Sequence, residues 1–197
     1  MKIWYFILCY LLVPQKSDKH LVKTSIEFDI LLRNKVVGQL IATKVNKESK
    51  TYYHSSTTIK TKIIREVLVN YKYDVVFDHS LLKQADVFIT VNDKTHAETH
   101  TTRIDDYYQF KDDDKNSIRH HSPINYSTIL LYFIEPINIE TCFSEEDGSI
   151  NRIVSLGNHV YKKINSKGKE NIYYYKDGIL SKAKIDGGLV SFQMIAK

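Results

Sequence analysis

The sequence predicts a mainly β fold: a strongly curved antiparallel sheet, a half-barrel or open barrel of about ten strands, with one short helix as lid or plug. Three observations predict it. Ile, Val, Thr, Tyr and Phe together number 72 of the 197 residues, against only 5 Ala. Those side chains suit a pleated, half-buried surface, whereas Ala is the strongest helix former. Apolar residues recur at every second position along most of the chain, with turn residues at intervals of roughly 8–12 residues. Only one stretch breaks that period. With 43% hydrophobic and 26% charged residues the balance is that of an ordinary globular protein, which excludes a disordered scaffold. The length predicts a single β-rich domain over 18–197, without a second catalytic lobe.

The elements follow in order. Met1-Lys2 precedes eleven apolar or aromatic residues, Ile3 to Val13, and then Pro14-Gln15-Lys16-Ser17. A short positive start and an apolar core of this length predict a signal peptide over 1–17. The core is too short to span a bilayer, which takes about 20 residues. Ser17 is small enough for the position before the cut, but Gln15 is not small, so the segment is either cleaved or retained as a tether. The expected location is exported, periplasmic or outer-envelope associated, with membrane association only through this segment.

Thr24, Ile26, Phe28, Ile30 and Leu32 give the first strand, and Asn34-Lys35 turns it into Val36–Val45. Gly38 marks a bulge or a close backbone approach. Thr51–Thr61 is a polar strand. Val67, Val69, Tyr71, Tyr73, Val75 and Phe77 form the clearest apolar face. Asp78-His79-Ser80 turns it into a strand carrying Val87, Ile89 and Val91, and Asn92-Asp93 turns again into the polar strand Lys94–Ile104. Tyr107–Lys111 and Ser117–His121 flank an acidic turn. The period then changes: Ser122–Ile134 reads as a short buried helix ended by Pro136. Strands resume at 140–143, 150–156, 159–164, 171–175, 179–185 and 189–196, with Gly-bearing turns between them. No repeat period appears, which disfavours a propeller or solenoid.

Charge and cysteine content narrow the function. The formal charge is +5, but 23 of the 28 basic residues are Lys, interspersed among 23 acids. Nucleic-acid recognition favours clustered charge and Arg forks, so no nucleic-acid partner is expected. Lys162-Lys163 through Lys169 reads as a solvated hairpin tip. Without the signal segment only Cys142 remains, which excludes a disulfide scaffold and a Cys-based zinc site.

The strand positions His96, Glu98 and His100 share one face, and two imidazoles plus a carboxylate are a donor set for zinc or non-haem iron. Their Thr and Lys neighbours favour a solvent-facing row, so no cofactor is expected and a metal-dependent enzyme is the alternative reading. Glu145, Glu146 and Asp147 have acid–base chemistry but sit at a wet turn beside Gly148. There is no G-x-S-x-G elbow and no Gly-rich phosphate loop, and the leading expectation is a non-enzymatic protein.

The stretch Tyr126 to Pro136, centred on Leu131-Tyr132-Phe133 and Glu135-Pro136, is followed by Phe143-Ser144-Glu145 and Gly148. With the opening hairpin, Ile26–Leu32 and Asn34–Gly38, it resembles a family of exported bacterial proteins classed as a domain of unknown function. The likeness runs over roughly 20–197 and implies a signal-bearing, β-rich envelope protein with no assigned activity. The plan is also similar to the lipoprotein-carrier (LolA/LolB-like) class, a curved half-barrel closed by a helical lid; as a fold analogy it implies a pocket but no particular ligand. The expected function is therefore binding of an apolar or amphipathic, lipid-like ligand or of an envelope partner protein. The expected lining is Tyr132, Phe133 and Glu135 on the helix, with Phe143, Ser144 and Glu145 after it. A purely structural or assembly protein with a filled interior is the third reading.

Overall fold

A computed structural model describes residues 22–62, 66–113, 116–186 and 191–197. The segment at 1–17, expected to be a signal peptide, lies outside the described residues. Among them are fourteen strands: β1 (Val22–Leu32), β2 (Lys35–Lys47), β3 (Lys50–Lys62), β4 (Glu66–Asp78), β5 (Leu81–Val91), β6 (Lys94–Ile104), β7 (Tyr107–Asp112), β8 (Ser117–His120), β9 (Thr141–Phe143), β10 (Ile150–Gly157), β11 (Val160–Ile164), β12 (Glu170–Lys176), β13 (Ile179–Asp186) and β14 (Ser191–Ala196). All belong to one antiparallel sheet in the order β8-β7-β6-β5-β4-β3-β2-β1-β14-β13-β12-β11-β10-β9. The expectation of about ten strands is too low. The short segments β8 and β9 pair as fully as the long ones, and a sheet this wide must coil on itself.

Turn chemistry sets the register. The hairpins β1–β2, β4–β5, β5–β6 and β10–β11 turn on two residues each with positive φ: Arg33-Asn34, His79-Ser80, Asn92-Asp93 and Asn158-His159. That backbone twist matches the twist of the strands it joins. The first turn is thus one residue earlier than the Asn34-Lys35 expected from sequence. Gly38 fulfils both expectations. The β1–β2 register shifts beside it, between Ile30 and Leu31, and a Cβ on Gly38 would stand 2.2 Å from the Thr58 carbonyl oxygen of β3.

The sheet rolls up but does not close, because its edges β8 and β9 do not pair with each other. Between them the Phe143 N–H donates to the Tyr126 carbonyl at 3.0 Å, and His120 Nε2–H donates to the Gly148 carbonyl at 2.7 Å. The His120 ring meets Phe143 edge-on at 5.7 Å. The chain between the edges turns into the barrel as a plug. Ile124, Tyr126, Ile129, Leu130 and Leu131 are buried there, in one core with Phe28, Val75, Phe110 and Leu180 of the wall.

The plug corrects the second expectation. Its helical part is a five-residue 3-10 turn, Thr128–Tyr132, with no side-chain cap from Ser127. A regular helix would satisfy its own backbone; here the barrel does so instead. Glu145 Oε2 and Oε1 accept the N–H groups of Thr128 and Ile129, each at 3.1 Å. Tyr175 Oη donates to the Leu131 carbonyl at 2.8 Å, and Tyr126 Oη to that of Ile134 at 2.6 Å. With its orphan groups met from outside and Pro136 ahead, the segment gains nothing by lengthening. Phe133 and Glu135, expected on a helix, lie beyond it.

The two strands read as polar also face inward in part: Ser55, Thr57, Thr99 and Thr101 are buried. Thr99 Oγ1 donates to the Glu145 carbonyl at 2.7 Å, so the loop after β9 supplies the partner that sequence alone does not reveal. Among the described residues no helix is long and apolar enough to cross a membrane.

Candidate functional site

The plug fills one end of the barrel and leaves a cavity of about 370 Å³ in the other. Its wall changes character around the sheet. From β3 through β2, β1 and β14 to β13 it is mainly apolar, built from Ile59, Leu40, Ile30, Met194, Phe192 and Ile185, with Thr57 and Asp186 among them. These come from alternate positions, and Ile30 and Met194 are direct cross-strand partners. From β12 through β11 and β10 to the loop after β9 the wall is polar, with Asn171, Lys163, Asn151, Ser144, Glu146 and Asp147. Tyr71 and Tyr73 of β4 complete the ring, Thr128 and Tyr132 of the plug line it as well, and Lys167 and Lys169 line it from the β11–β12 turn.

Most polar groups here already have partners. Tyr73 Oη donates to Glu146 Oε2 at 3.3 Å. Asp147 Oδ1 accepts from the Ser149 hydroxyl at 2.7 Å and its N–H at 3.1 Å. Burial acts to raise Asp147, but the hydrogen bonds from Ser149 and Ser144 outweigh it, and the carboxyl is held below its ordinary range. Glu145 lies behind this wall, and burial pushes its carboxyl above the ordinary range. Burial likewise lifts the Tyr73, Tyr132 and Tyr173 hydroxyls, so all three are neutral hydrogen-bonding groups at any physiological pH. Lys163 Nζ donates to Thr128 Oγ1 at 3.2 Å. The arrangement has the makings of a two-sided receptacle, apolar on one flank and hydrogen-bonding on the other.

Of the six residues expected to line a site, the structure brings Tyr132 and Ser144 into the cavity. Phe133 packs instead on Tyr53, ring centroids 5.4 Å apart. Glu135 is buried elsewhere, accepting from Tyr161 Oη at 2.7 Å and His159 Nδ1 at 2.9 Å. Phe143 is core, and Glu145 holds the plug. Lys163, Glu146, Asn151 and Tyr173 were not among the expected residues. The available signal was alternation: Lys163 is two residues from inward-facing Tyr161, as Tyr173 is from Tyr175.

His96, Glu98 and His100 do lie on β6 and are all exposed, but they do not form a cluster. The β5–β6 register shifts between Ile89 and Thr90, leaving His96 without a cross-strand partner. His100 pairs with Asp86, whose second oxygen accepts from Gln84 Nε2 at 2.7 Å. An outer groove of about 490 Å³ borders Glu98 and His100, yet no group of three candidate metal ligands occurs among the described residues.

Residues 28–197 match the family described as Domain of unknown function (DUF6134). The chain belongs to this family. No curated protein matches it. Among solved structures it is similar to the crystal structure of a beta-barrel-like protein of domain of unknown function DUF1849 from Brucella abortus, at 11% identity. That likeness covers 90% of this chain and 96% of the other, with a TM-score of 0.56. At that identity it shows a shared fold, so this DUF6134 chain has a beta-barrel-like, mainly antiparallel architecture.

Proposed function

We propose that this protein is an exported, non-enzymatic envelope protein that holds a single-chain amphipathic ligand inside its barrel. The observation that carries the reading is the two-sided cavity: a mainly apolar flank facing a hydrogen-bonding one. Its volume of about 370 Å³ has room for about a dozen water-sized groups. That suits one short acyl or alkyl chain with its head. Export is supported by the charged start and the apolar run from Ile3 to Val13.

Native mass spectrometry with solvent extraction of freshly isolated protein tests the reading. The expected result is a co-purifying single-chain amphiphile, or uptake of one added to the protein. An Ile59→Trp variant, which fills the cavity from β3, should exclude it. A clean apo mass together with no uptake of any added amphiphile would overturn the proposal. Export is checked by fractionation and by the N-terminal residue of the recovered chain, expected after Ser17.

A further inference from the structure

We infer that the ligand carries an oxyanion head, a carboxylate or a phosphate ester, and that Lys163 is its seat; this rests on the ligand-binding reading above. Lys163 is only 8% exposed. Lysine is almost never buried this far without an opposite charge, because an unpaired ammonium loses its hydration. Yet among the described residues Lys163 forms no ion pair within 4.0 Å; its one polar partner is the Thr128 hydroxyl. The adjacent Lys162, whose side chain is 26% exposed, pairs with Glu170 at 3.0 Å. The lysine that needs a partner less has one, and the buried lysine has none.

Glu146, Asp147 and Asp186 line the same cavity, and the Lys163 charge acts to lower Asp147 and Glu145, but among the described residues none forms an ion pair with it within 4.0 Å. Glu145 holds the plug amides, Glu146 accepts from Tyr73, and Asp147 accepts from Ser149. An ammonium has three N–H donors, so Lys163 retains two beyond the one given to Thr128, and it lines the cavity. Lys167 and Lys169 line the same cavity and favour an anion entering there. At this seat a cationic head would face the Lys163 ammonium, and a neutral head would offer its two remaining donors no charged acceptor. An oxyanion head meets the unused donors, while its chain lies along Ile30, Leu40 and Met194.

The test uses the full chain freed of lipid, with four probes sharing one chain: decanoate, decyl phosphate, decanol and decyltrimethylammonium. Titration calorimetry reads the affinities. At least one of the two anions should bind about tenfold or more tighter than decanol, the scale of a charge-assisted hydrogen bond, with decyltrimethylammonium weakest. The stronger anion tells a free fatty acid from a phosphorylated lipid. Lys163→Met should abolish the preference, with its fold checked by circular dichroism and thermal melting; Lys163→Arg should keep it. A Lys167→Gln, Lys169→Gln double variant should keep most of it. Decanol binding as tightly as both anions, or a preference that survives Lys163→Met, overturns the inference and leaves the amphiphile reading standing. Failure of every probe to bind, decanol included, overturns both.

Discussion

Glu145 Oε1 accepts the backbone N–H of Ile129 at 3.1 Å, and through this bond the loop after β9 holds the plug inside the barrel. The same carboxylate takes Thr128, so Glu145→Ala leaves two plug amides without an acceptor. Each buried unsatisfied group costs about 1–3 kcal/mol, and the variant should lose about 3 kcal/mol or more in urea unfolding. A loss near zero would mean that the plug is held by other contacts. Burial raises the Glu145 carboxyl more than the Ile129 amide lowers it. The folded state therefore binds that proton more tightly than the unfolded chain. The resulting stability is complete below its ordinary 4.5 and is lost as pH rises through the raised folded value. Glu145→Gln does not titrate, so the wild type should lose stability relative to it on going from acid to neutral pH.

Glu135 has the opposite sign. Burial acts to raise it, but hydrogen bonds from Tyr161 and His159 prevail and hold it below its ordinary 4.5. Its contribution is present above that ordinary value and is lost as pH falls through the lowered folded one. Tyr161→Phe removes the 2.7 Å bond and should cost about 1.5–3 kcal/mol at neutral pH. That cost should shrink in acid. A pH-independent cost would assign the tyrosine's role to packing alone.

Cys142 is a buried free thiol that burial pushes up to about 12. The thiolate is the reactive form. In a Cys9→Ser chain, Cys142 should resist thiol reagents at mildly alkaline pH and react fully once denatured. Rapid labelling of the native protein would place the thiol at an accessible surface.

Two glycines with positive φ should respond differently to Ala. Gly148 has φ +68°, and a Cβ there would stand 2.6 Å from the Phe110 ring. Gly148→Ala should therefore combine backbone strain with overpacking, about 2–4 kcal/mol in all. Gly157 has φ +81° but nothing within 4 Å of a Cβ, so its Ala variant should cost only the strain, about 1–2 kcal/mol. Equal losses would mean that the Phe110 ring yields to the added methyl group.

Most of the sheet is legible because a half-buried strand writes its period into the chain. The alternation from Val67 to Phe77 marks β4, and Asn92-Asp93 is a turn in both sequence and structure. Legibility fails where a residue's environment comes from distant chain. Thr99 reads only as part of a polar strand until the Glu145 carbonyl lies over it. Ser122–Ile134 reads as a helix because its backbone partners, Glu145 and Tyr175, belong to later elements. The cavity suffers from the same limit. Tyr132 and Ser144 are found from local pattern, whereas Lys163 sits among lysines that suggest a wet hairpin and is buried only because the sheet rolls up around it.

The pairing of β1 with β14 has a consequence for when the cavity comes into being. Its apolar flank straddles that seam, Ile30 on one side and Met194 on the other. A ribosome-bound chain that has not yet released Met194 has half a flank and no receptacle, however well its earlier hairpins have formed. Contacts this distant in sequence form late. The apolar surface therefore stays divided between β1 and β14 until one pairing step brings them together. Until β14 has paired with β1 the cavity does not exist, and a variant lacking β14 would expose both halves of its apolar flank.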